Sequence, residues 1–87
     1  MTQPAERAFP LALAGAGASV RLVGTSGGQR GAHRLAELGL SPGVTLTVLR
    51  DSGGTLLIAV GDTRLALGAG IAHTILVTEI TRSTRGE

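Results

Sequence analysis

The chain has 87 residues, 43% of them hydrophobic, and no cysteine, so it is bounded to one small domain held by aliphatic packing, without disulfides, thiolate zinc sites or cysteine nucleophiles. Phe9 is its single aromatic residue, and its eight basic residues, all Arg, stand against six acids to give a net charge of +2. The pI of about 11.2 follows from the lack of lysine, and scattered cations without stacking aromatics argue against a nucleic-acid binder.

In chain order, residues 1–8 and 83–87 are polar and aperiodic, which predicts flexible tails on either side of a domain at 9–82. The apolar run from Leu11 to Val23 is interrupted at Gly15 and Gly17, follows Pro10, and falls short of the ~20 residues a membrane span needs, so neither a signal peptide nor an anchor is expected. A cytoplasmic protein is the expectation. Ser19 to Gly24 places Val20 and Leu22 on one face and Arg21 on the other, the period of a half-buried first strand.

Ser26 and Gln29 have capping-box spacing, although Gly27, Gly28 and Gly31 delay the regular helix to about Gln29–Leu38. Gly39 is placed to take left-handed backbone after that helix, bringing Leu40 back onto Leu35 in a Schellman motif, and Pro42-Gly43 predicts a type II turn. Val44 to Arg50 alternates cleanly and reads as the second strand. Asp51 to Gly54 is a hairpin loop, Thr55 to Val60 the third strand, Gly61-Asp62 a two-residue turn, and Thr63 to Leu67 the fourth strand. A short irregular or 3₁₀ crossover over Gly68 to His73 leads to a last strand at Thr74 to Thr81. Five short strands would leave two bare edges if flat, so the expected architecture is mainly β, a small five-stranded barrel with one short helix between strands 1 and 2.

No catalytic constellation arises from spacing. Glu37, Asp51, Asp62 and Glu79 are each alone in sequence, and Ser26 beside two glycines lacks both the Lys-Ser/Thr ending of a P-loop and the flanks of a nucleophile elbow. The chain is therefore not expected to be an enzyme or to hold a resident cofactor. His33, His73 and Asp62 are the candidate donors for a weakly held divalent ion such as Fe(II), provided the fold makes them converge. A recognition surface is better supported: Leu35, Leu38, Leu40 and Pro42 offer apolar groups, with Arg30, Arg34 and Glu37 as a polar rim. The competing reading places Leu38 in the core and has Leu35 simply close the Schellman contact, since burial stabilises a leucine against an internal partner or an external one.

Arg34-Leu35-Ala36-Glu37-Leu38-Gly39-Leu40-Ser41-Pro42-Gly43, with Leu11, Gly17, Val20 and Gly27-Gly28 before it and Gly61-Asp62-Thr63-Arg64-Leu65-Ala66-Leu67-Gly68 and Ile71-Ala72 after it, resembles the FeoA family over about Leu11 to Ile80. The Arg-Leu-x-Glu-Leu-Gly-Leu-x-Pro-Gly block is the specific part. The resemblance implies an SH3-like barrel and a small cytoplasmic accessory or regulatory protein of bacterial ferrous iron uptake. Such a protein would bind the membrane transporter GTPase FeoB and reach the inner membrane only through that partner; because a closed barrel resists edge pairing, a monomer or weak homodimer is expected. Arg34, Leu35, Leu38, Leu40 and Pro42 are the positions expected to meet FeoB. The Ala/Gly-rich stretch Ala14 to Ala18 and the short Asp51 to Gly54 hairpin depart from the family pattern. A similar barrel regulates DtxR-type metal-dependent repressors, an Fe(II)-sensing module is a further reading, and an RNA-binding small barrel is disfavoured by weak charge.

Overall fold

The computed structural model describes residues 7–80. Six antiparallel strands form one sheet in the order β1-β6-β2-β3-β4-β5. They are β1 (Phe9–Pro10), β2 (Ser19–Thr25), β3 (Thr45–Asp51), β4 (Thr55–Val60), β5 (Thr63–Gly68) and β6 (Ile75–Glu79). A 3₁₀ turn over Leu11–Leu13 follows β1, helix α1 (Gly28–Glu37) joins β2 to β3, and helix α2 (Ala69–Thr74) joins β5 to β6.

Mainly β architecture with a helix after the Ser19 strand holds, and two details of the expected barrel do not. The sheet has six strands rather than five, because Phe9–Pro10 pairs with β6 through Phe9↔Val77 and Pro10↔Leu76. A two-residue strand shows no alternation, and its Pro10 is tolerated because an edge position asks no inward N–H of it. This extra strand moves the helix to the connection between β2 and β3. The sheet is also unclosed: β1 and β5 end the order and do not pair. Edge protection takes the place of closure, since β1 is very short and carries proline while β5 runs straight into α2. The crossover expected to be irregular is helical over Ala69–Thr74, and Thr74 Oγ1 donates to the Ile71 carbonyl at 2.9 Å in its last turn. The tails expected at 1–8 and 83–87 fall almost wholly outside the described residues.

Strand periodicity sorts side chains as expected. Leu46 and Val48 of β3, Leu56 and Ile58 of β4, and Ile75 and Val77 of β6 point into one aliphatic core with Leu11, Val20, Leu22 and Leu67. Among the described residues no buried side chain is polar or charged, so the core asks for no internal hydrogen-bond network. Two bulges interrupt the ladders. Val23 is the extra residue of β2 against Val77 and Leu76 of β6. Leu49 is likewise extra on β3 against Ile58 and Leu57 of β4. Both side chains are exposed, on the outward face that alternation from buried Leu22 and Val48 gives them. The two-residue loop Gly61-Asp62 links Val60 to its partner Thr63 as expected.

Candidate docking face

Helix α1 enters without a side-chain cap. Gly27 is the N-cap, and no side chain bonds to the first turn, so the capping box expected from Ser26 and Gln29 does not form. The Ser26 N–H instead donates to the Thr74 carbonyl at 2.8 Å, while Thr25 Oγ1 accepts the Gly27 N–H at 3.0 Å. The chain at Ser26 is thus tied to the end of α2, and its side chain is not in the capping position that the sequence spacing suggested.

The helix exit is the best-built part of the face. Gly39 takes φ of +84°, a region costly for any residue with a Cβ. Leu40 N–H then reaches the Leu35 carbonyl at 2.8 Å, and Gly39 N–H the Ala36 carbonyl at 3.0 Å. These are the two hydrogen bonds of a Schellman motif. Ser41 to Val44 forms the next turn, closed by Val44 N–H to the Ser41 carbonyl at 3.2 Å, with Gly43 at φ +99°. Gly43 N–H donates to the Leu22 carbonyl at 2.8 Å and Leu22 N–H to the Val44 carbonyl at 2.9 Å. The helix exit and the turn are therefore clamped onto β2, so the face they present is rigid.

That geometry divides the expected contact residues. Leu35 is 4% exposed and Leu40 is 2% exposed, both inside the core cluster, so neither side chain is available to a partner. The Schellman contact that the sequence predicted is what buries them: it turns Leu40 inward against Leu35 and away from solvent. Leu38 occupies the helix C-cap and is 38% exposed. Arg30, Arg34, Glu37 and Pro42 are exposed as well. Arg30, Arg34 and Leu38 recur every fourth residue and so form one stripe along the helix. On the neighbouring stripe, His33 Nε2 lies 3.3 Å from Glu37 Oε2, with both side chains well exposed. A small apolar cleft of about 40 Å³ separates α1 from β2, lined by Leu22, Gly24, Thr25, Ala32, Leu35, Leu40 and Pro42.

His33, His73 and Asp62 do not converge. His33 lies on α1, His73 in the last turn of α2 and Asp62 in the β4–β5 loop, and among the described residues no group of three or more His, Asp or Glu side chains is arranged to hold a metal. Residues so far apart in sequence can be brought together only by tertiary packing, which the sequence does not reveal. Sequence reasoning missed an open groove of about 180 Å³ lined by Asp51 and His73 together with the apolar Ala12, Leu56, Ala69 and Ala72. Those residues come from four separate elements, and no local pattern joins them. It also missed Leu13, 68% exposed on the 3₁₀ turn, whose neighbours in sequence are as apolar as it is.

A small, SH3-like β domain with a rigid, partly apolar helical face is the class defined by this fold and this geometry. The family model of the FeoA domain matches residues 9–79. A curated relative from Methanocaldococcus jannaschii, described as an Fe(2+) transport protein A, is 32% identical over 69 residues, covering 79% of this chain and 84% of the relative. A crystal structure of an iron uptake regulatory protein, FeoA, superimposes with a TM-score of 0.77 at 33% identity, covering 85% of this chain and all (100%) of that one. The FeoA of Stenotrophomonas maltophilia, solved in complex with zinc and described as a prokaryotic SH3 domain protein, gives a TM-score of 0.68 at 27% identity, over 79% of this chain and 88% of its own. This chain belongs to the FeoA family.

Proposed function

We propose that this chain is a non-catalytic accessory protein of ferrous iron uptake that works in the cytoplasm by binding the FeoB transporter GTPase. Membership of the FeoA family supports the iron-transport setting. The single observation that carries the binding role is the Arg30–Arg34–Leu38 stripe, exposed on a helix whose exit is closed by two Schellman hydrogen bonds and whose following turn is joined to β2 by two more, Gly43 N–H to the Leu22 carbonyl and Leu22 N–H to the Val44 carbonyl. A pre-ordered face loses little conformational freedom on docking, which favours a small interface. Arg and exposed Leu side by side give such an interface both a charge handle and an apolar contact. Among the described residues no helix is long and apolar enough to cross a membrane, which suits attachment at the inner membrane through the partner. The reading uses no resident metal. Titration calorimetry of the purified chain against detergent-solubilised FeoB from the same cell tests it: saturable binding is expected, and a flat titration at concentrations up to tens of micromolar would sink the proposal.

A further inference from the structure

The stripe on α1 also specifies the chemistry of what covers it. Arg30 lies in the first turn of α1, which holds no acidic residue, and Arg34 lies in the last. A cation in a first turn opposes the helix dipole, and two like charges four residues apart repel, each a small cost to the isolated domain. Arg34 is favourably placed against the dipole at the helix exit, but among the described residues no carboxylate lies within ion-pairing distance of either arginine. The one acid on the helix, Glu37, sits against His33, and among the described residues this is the single close contact between a carboxylate and a basic side chain. Among the described residues Arg30 and Arg34 are therefore two guanidinium groups without an ion-pair partner, one helical turn apart, ending beside the exposed Leu38. Guanidinium forks match carboxylates two bonds at a time, a fit that lysine does not offer. Two cations are too few to hold a nucleic acid or a lipid surface unaided.

Resting on the docking reading above, we infer that the segment of the partner protein that covers α1 is acidic: it sets two carboxylates against Arg30 and Arg34 and lays an aliphatic side chain over Leu38. The test measures the affinity of the purified full chain for detergent-solubilised FeoB at 50 and 300 mM NaCl. The parent, the double variant Arg30→Gln/Arg34→Gln and Leu38→Ser are compared, each checked by circular dichroism for an unchanged fold. The parent is expected to weaken about tenfold between the two salt concentrations. The double variant is expected to bind about tenfold more weakly at 50 mM and to lose most of its salt dependence, with Leu38→Ser weakened equally at both concentrations. Parent and double variant binding FeoB alike, with the same salt response, would overturn the acidic partner while leaving FeoB binding intact. No binding by the parent removes both readings. Binding of the parent to phosphatidylglycerol vesicles without FeoB, lost in the double variant, would also overturn the inference by making the anion a lipid.

Discussion

Leu35 and Leu38 lie three residues apart in the same sequence block, and the structure gives them different work, which a stability measurement can separate. Leu35 is 4% exposed and borders the cleft of about 40 Å³ between α1 and β2. Leu35→Ala enlarges an existing void that the clamped turn cannot collapse, so its cost includes a cavity term and falls at about 2–5 kcal/mol. A domain this size is stable by only about 4–13 kcal/mol in total, so the loss is a large part of the whole. Leu38 is 38% exposed and opens onto solvent, so Leu38→Ala loses part of one leucine's transfer energy and leaves no enclosed cavity, about 1 kcal/mol. The chain has no Trp or Tyr, so urea unfolding is followed by far-ultraviolet circular dichroism. The midpoint should fall far for Leu35→Ala and slightly for Leu38→Ala, with equal slopes. Equal losses for the two variants, or Leu35→Ala within about 1 kcal/mol of the parent, would refute the division of core from surface.

Other substitutions follow from the same geometry. Gly39→Ala forces a Cβ into φ +84° and should destabilise by about 1 kcal/mol. Gly70→Ala meets nothing within 4 Å inside α2 and should stabilise by about 0.5–1 kcal/mol, so thermal unfolding should move the two variants in opposite directions. His33→Ala removes a solvent-exposed contact with Glu37 and should change stability by less than about 0.5 kcal/mol, read from the urea midpoint. Because His33, His73 and Asp62 do not cluster, the double variant His33→Ala/His73→Ala should titrate with Zn(II) or Fe(II) as the parent does, and a lost high-affinity phase would contradict that separation.

Local chemistry was legible in the sequence wherever it was dictated by neighbours in the chain. The Schellman exit at Gly39, the turn at Pro42-Gly43, the alternation of Leu46 and Val48 and the loop at Gly61-Asp62 all depend on residues within a few positions of one another. Strand β1 was not legible because Phe9 and Pro10 acquire strand character only by lying beside Val77 and Leu76. Closure was misjudged for the same reason, since whether β1 meets β5 is decided by a sheet order that periodicity does not encode. In the block from Arg34 to Gly43 the helix exit and turn were legible, yet helical spacing alone did not tell buried Leu35 from exposed Leu38. That distinction comes from where β2 lies relative to α1. The bulges at Val23 and Leu49 were not legible, because alternation along each strand places both side chains outward with or without the register shift.

The central claim is that the α1 stripe, and no other apolar feature of the surface, meets FeoB. Leu13 provides the comparison, being more exposed than Leu38 at 68% against 38%, and lying on the 3₁₀ turn outside α1. Affinity for solubilised FeoB should be measured for the parent, Leu38→Asp and Leu13→Asp, each shown to be folded. The account predicts at least about a tenfold loss for Leu38→Asp, the size of effect that a charge buried in a small interface produces, and parental affinity for Leu13→Asp. Parental affinity for Leu38→Asp together with lost binding for Leu13→Asp would contradict it and move the interface to the 3₁₀ turn.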